Sequence, residues 1–91
     1  MALYAIIALS EPEKLKQAVI TQYGANHYEF GRSTWFVADD GSSKQVSDRL
    51  GLTNGGIGST GVVLLFTAYS GWGPPGAWAW LQERGSAIPN G

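Results

Sequence analysis

This sequence predicts an α+β fold, one sheet of short strands with helices packed against it. Apolar runs at 3–9 (LYAIIAL), 34–38 (TWFVA) and 61–69 (GVVLLFTAY) have strand character, and each is followed by a stretch with helix signals. The first and last runs are apolar on both faces, the pattern of strands covered from two sides. With 91 residues the chain is expected to form a single domain over 1–91. A domain of that size buries only roughly 60–65% of its unfolded surface, so its stability margin is thin.

Residues 3–9 alternate Leu3, Ala5, Ile7 and Leu9 against Tyr4, Ile6 and Ala8, which predicts a central strand. Ser10 and Glu13 have the spacing of a capping box, with Pro12 where a first-turn proline is tolerated. A helix is expected from Glu11 to Tyr23, with Leu15, Ala18, Val19 and Tyr23 on one stripe and Gly24 as its stop. Residues 26–39 allow two readings: one long strand with a bulge at Gly31, or two strands at 27–31 and 33–39. The turn DDGSS at 39–43 leads to a short helix at 44–50, capped by Ser42 or Ser43, with Val46 and Leu50 inward and Gly51 as its stop. Residues 53–61 (TNGGIGSTG) carry four glycines and form a connection. A strand at 62–69 follows, then a bend at 70–76 and a helix at 75–84 that presents Trp78 and Leu81, with Ala77 and Trp80 beside them. The tail 85–91 is expected to fray.

The order of elements is β-α-β-β-α-β plus a helix, the ferredoxin-like split sandwich with an extra C-terminal helix. Both crossovers place their helices on one sheet face and leave the other bare. The last helix must then cross over it, within its own chain or by a swap, or two sheets must stack. Covering about 500 Å² of apolar surface per chain is worth on the order of 10 kcal/mol gross, so a homodimer is expected.

Composition narrows the function. Charged residues are 14% of the chain, against about 25% in a typical domain. Six basic and seven acidic residues give a net charge of −1. The basic residues are scattered, which disfavours a nucleic-acid partner. There is no cysteine, so disulfides and thiolate metal sites are excluded. The first apolar run is too short to span a bilayer and has no basic leader, so no membrane contact and a cytoplasmic location are expected.

No group of residues has the spacing of a catalytic or metal site, so no catalytic residue, metal or cofactor is assigned. His27 beside Glu29 could form an acid–base pair, but a histidine at a strand edge is the plainer account. Asp39 and Asp40 are neighbours, with Asp48 further on, and are read as turn and cap residues rather than an ion site. The glycine-rich run could cradle a phosphate through its amides. It precedes a strand, however, and lacks the nucleotide-loop order of glycine, lysine and serine or threonine. Trp72, Trp78 and Trp80 lie within nine residues, next to Tyr69. Tryptophan and tyrosine are enriched at interfaces, so these four are the candidate interaction residues.

A first strand ending near Ser10, the RSTWFVADD segment followed by a helix, and an apolar strand before a tryptophan-containing tail are features of a known group. Over roughly residues 2–70 the chain resembles the compact CRISPR-associated ferredoxin-like nucleases and the related virulence-associated toxin proteins. The resemblance implies the fold and a dimer. In those nucleases an aspartate at the end of the first strand holds a metal at the dimer interface. The matching stretch here is Ala8–Leu9–Ser10–Glu11, which has no aspartate.

Three classes of function follow. The leading expectation is a small dimeric, non-enzymatic interaction or accessory protein with a protein partner. A divalent-metal-dependent nuclease of the resembling group would need Glu11, Asp39 or Asp40 to meet across the dimer. A small-ligand-binding protein would use a cleft between sheet and last helix, with Tyr28, Trp35 or Trp72 lining it.

Overall fold

The computed structural model describes residues 1–71 and 75–84. Its elements are β1 (Ala2–Ser10), α1 (Pro12–Tyr23), a 3-10 turn (Gly24–Asn26), β2 (His27–Gly31), β3 (Thr34–Asp39), α2 (Ser43–Leu50), β4 (Thr60–Phe66) and α3 (Pro75–Arg84). The sheet order is β2-β3-β1-β4, and every neighbouring pair is antiparallel. β1 and β2 therefore run the same way with β3 between them, the ferredoxin-like β-α-β-β-α-β arrangement with an extra C-terminal helix. The tail 85–91 lies outside the described residues.

β1 is the central strand that its two apolar faces predict. On one face Tyr4 and Ile6, with Trp35 and Val37 of β3, pack against Leu15, Val19 and Tyr23 of α1 and Val46 and Leu50 of α2. On the other face Leu3 and Ala38 meet Trp80 and Leu81 of α3. Each single face of β1 is thus satisfied by a different helix set, which explains why the strand carries no polar alternation.

Residues 26–39 form two strands, the second of the two readings, and the pairing of β2 with β3 shifts between Glu29 and Gly31. Trp35 and Phe36 point to opposite faces as strand alternation requires. α2 is capped by Ser42: its hydroxyl accepts the Gln45 amide, and the Gln45 side chain accepts the Ser42 amide. Gly51 closes the helix in the left-handed region, at φ 77°.

Three expectations are corrected. Ser10 does not cap α1. Its hydroxyl is held by Thr60, with oxygen atoms 2.7 Å apart and the Thr60 amide donating to it at 3.1 Å. Glu11 takes the capping position with φ 47° and no side-chain cap bond, and Pro12 opens the helix. The tie between the ends of β1 and β4 claims the serine that the helix would otherwise use. β4 ends at Phe66, so Tyr69 lies beyond the strand, in the loop toward α3. β4 is also an edge strand rather than a covered one: Val62, Leu64 and Leu65 are 39%, 51% and 56% exposed.

Gly61 positions β4. A Cβ there would lie 2.8 Å from the Ile7 carbonyl oxygen and 3.1 Å from a Leu15 methyl, so only glycine lets the strand start against β1.

Candidate functional site

The acidic candidates separate once folded. Asp39 is the last residue of β3 and turns inward, under the helices. Tyr23 Oη of α1 donates to it at 2.8 Å, the Gly41 amide donates at 2.7 Å, and Arg49 of α2 pairs with the same carboxylate. Tyr4 of β1 donates to the Gly41 carbonyl beside this group. Burial pushes the Asp39 carboxyl up, but the donors of Arg49, Gly41 and Tyr23 outweigh it and hold the group below the usual carboxylate range. Burial first, and then the bond to Asp39, push the Tyr23 phenol well above its ordinary value. The arrangement clasps α1, α2 and the β3–α2 turn together. Its charge is matched inside the protein by the Arg49 guanidinium.

Asp40 is exposed, and Asp48 accepts bonds from Thr53 at 2.5 Å and Lys44 at 3.1 Å. Glu11 follows the end of β1, whereas Asp39 pairs with Ala2 at its start. Nine strand residues at about 3.4 Å each put these carboxylates on the order of 30 Å apart within one chain. Among the described residues no three His, Cys, Asp or Glu side chains come together.

The other chemical candidates are likewise placed. His27 Nδ1 donates to the Gly24 carbonyl, and Glu29 pairs with Lys16 at 3.6 Å instead of with the histidine. In the glycine-rich loop the amides of Gly55, Ile57 and Gly58 bond to carbonyls of the loop and its neighbours. The Gly56 amide bonds to the Asn54 side chain, and the Thr60 amide to Ser10. Those donors hold the loop in shape, which leaves no cradle of converging amides for a phosphate.

The aromatic candidates lie on the face opposite α1 and α2. Trp80 is 9% exposed and packs in the core, with its ring 6.2 Å from Tyr28. Trp78 is half-buried on the flank of α3, stacked on Tyr69 with ring centres 5.8 Å apart. These two rings, with Ser70, Gly71 and Gln82, bound a small open cavity of about 300 Å³. Trp72 lies outside the described residues. Of the expected cleft-lining residues, Trp35 is sealed in the core beneath α1 and α2, on the wrong face for such a cleft. Tyr28 lies against α3.

A row of rings crosses this face: Phe30 to Phe36 at 4.6 Å, Phe36 to Phe66 at 5.4 Å and Phe66 to Tyr69 at 6.2 Å. Together with α3 it shelters the middle of the sheet. Among the described residues, apolar exposure remains along β4, at Val62, Leu64 and Leu65, and at Leu9 beside the bulge that ends β1. Leu64 pairs with Ala5 and so lies on the α3 face. Leu65 pairs with Tyr4 and lies on the α1–α2 face. Apolar exposure on both sides of one strand went unrecognised in the sequence. Its signal there is the absence of any charge or proline in TGVVLLF.

The chain matches no protein-family model, no curated protein and no solved structure.

Proposed function

We propose that the chain acts by association rather than catalysis: it is a homodimeric interaction or accessory protein that meets its partners through the β4 side of the sheet. The observation that carries this reading is the exposure of Val62, Leu64 and Leu65 on one uncharged edge strand. A small monomer with 14% charged residues has little reason to spend three large aliphatic side chains on one exposed strand. Covering each half-exposed side chain contributes on the order of 1 kcal/mol. Six of them in a two-fold pair give about 6 kcal/mol gross, between millimolar and micromolar affinity before other terms. The homodimer is therefore expected to exchange with monomer and to leave room for a protein partner.

Sedimentation equilibrium on the wild-type chain and on Leu64→Lys tests this. The wild type should approach twice the 9.7 kDa chain mass at roughly 100 µM, and the variant should remain near the single-chain mass with an unchanged circular-dichroism spectrum. A wild-type chain that stays monomeric up to about millimolar concentration would contradict the reading.

A further inference from the structure

We infer that two copies join edge to edge, β4 against β4 in antiparallel register, so that the two four-stranded sheets become one continuous eight-stranded sheet. This rests on the proposed homodimer and specifies its geometry.

The outward ladder of β4 carries the first part of the inference. The Ala8 amide donates to the Ser33 carbonyl on the β3 side. Backbone groups alternate along a strand, so Tyr4 and Ile6 also bond toward β3, while Leu3, Ala5 and Ile7 bond toward β4. Their partners Phe66, Leu64 and Val62 therefore spend their amides and carbonyls on β1. Val63 and Leu65 turn theirs away from the sheet, and among the described residues β4 has no neighbour on that side. An unpaired row on an uncharged, proline-free strand is a template for another strand.

Side-chain exposure separates this geometry from two sheets stacked face to face. Stacking on the α3 face would cover Val62 and Leu64 but leave Leu65, the most exposed of the three, on the other side. It would also have to displace or bridge the aromatic row and α3, which already occupy that face. Edge pairing covers both sides of β4 at once and needs no rearrangement of either.

The strand suits itself as a partner. A two-fold axis beside Val63 pairs all seven residues of β4, with Val62 opposite Leu64 and Leu65 opposite Gly61. No like charges face one another across the axis, because the strand has none. Seven residues at about 3.4 Å make an edge of roughly 24 Å. With side chains from both faces the joined surfaces reach the order of 1,000 Å², the lower limit for a specific interface.

Leu65→Lys and Phe30→Lys separate the geometries, since both positions are exposed and lie on opposite faces of the sheet and toward opposite edges. Dissociation constants are read by sedimentation, and the fold of each variant by circular dichroism. Edge pairing predicts that Leu65→Lys weakens the dimer by about tenfold or more, whereas Phe30→Lys leaves it within about twofold. Loss of the dimer in Phe30→Lys, alone or together with Leu65→Lys, overturns the edge geometry, as does a dimer indifferent to Leu65→Lys. A wild-type chain that never dimerises removes the homodimer itself, and the inference with it.

Discussion

The two halves of the sheet are finished in different ways. On the β2 side, polar groups close the structure: Lys16 pairs with Glu29, Arg84 donates to the Ala25 carbonyl at 3.3 Å, and Tyr23 and Arg49 converge on Asp39. β2 itself is five residues long, irregular near Gly31, and carries His27 and Glu29. On the β4 side the strand is longer and uncharged, and three of its five large side chains, Val62, Leu64 and Leu65, face solvent across its two surfaces. A short, charged, irregular edge resists pairing with another chain, and a regular apolar one invites it. Among the described residues the sheet thus has a guarded edge and an open one, and the open one is where association is expected.

The polar half should depend on Asp39 more than on any other single charge. Asp39→Asn removes the charge and one of the two carboxylate oxygens that accept from Tyr23, Arg49 and Gly41, and should lower stability by about 2 kcal/mol at neutral pH, read from chemical denaturation. Because folding depresses the Asp39 carboxyl, its contribution is complete above the ordinary carboxylate pKa of about 4 and fades as the pH falls through the folded value. The difference between wild type and variant should therefore close in acid. A gap of constant size from neutral to acid pH would mean that the clasp is not electrostatic.

A smaller effect is expected from Glu29→Val, which takes the guarding charge off β2. The pair with Lys16 is exposed, so stability should move by less than about 0.5 kcal/mol. Species larger than a dimer should, however, appear at high concentration if charge is what guards this edge. If the mass distribution is unchanged, the irregular pairing near Gly31 is the guard, and the contrast between the edges is one of shape.

Local chemistry made part of this legible in the sequence. The two-sided apolar pattern of β1 marked a central strand, and the serines at 42 and 43 after the DDG turn marked the start of α2, because both features depend on residues close together in the chain. β4 misled for a physical reason: an apolar run on both faces reads alike whether its covers come from the same chain or are missing. Ser10 misled because its competing partner, Thr60, is 50 residues away. The clasp was hidden for the same reason. Asp39 looked like a turn residue until folding brought Tyr23 and Arg49, 16 and 10 residues distant, onto its carboxylate. The tryptophans near the C-terminus were recognisable as a cluster, but only the folded chain separates Trp80 in the core from Trp78 on the flank.

The most direct test of the open edge is amide hydrogen exchange at Val63 and Leu65, followed over a range of protein concentrations. Edge pairing predicts fast exchange in dilute solution and protection that grows with dimer population, while amides of β2 show no such dependence. Fast exchange at Val63 and Leu65 in solutions where the chain is dimeric would contradict it and move the interface away from β4.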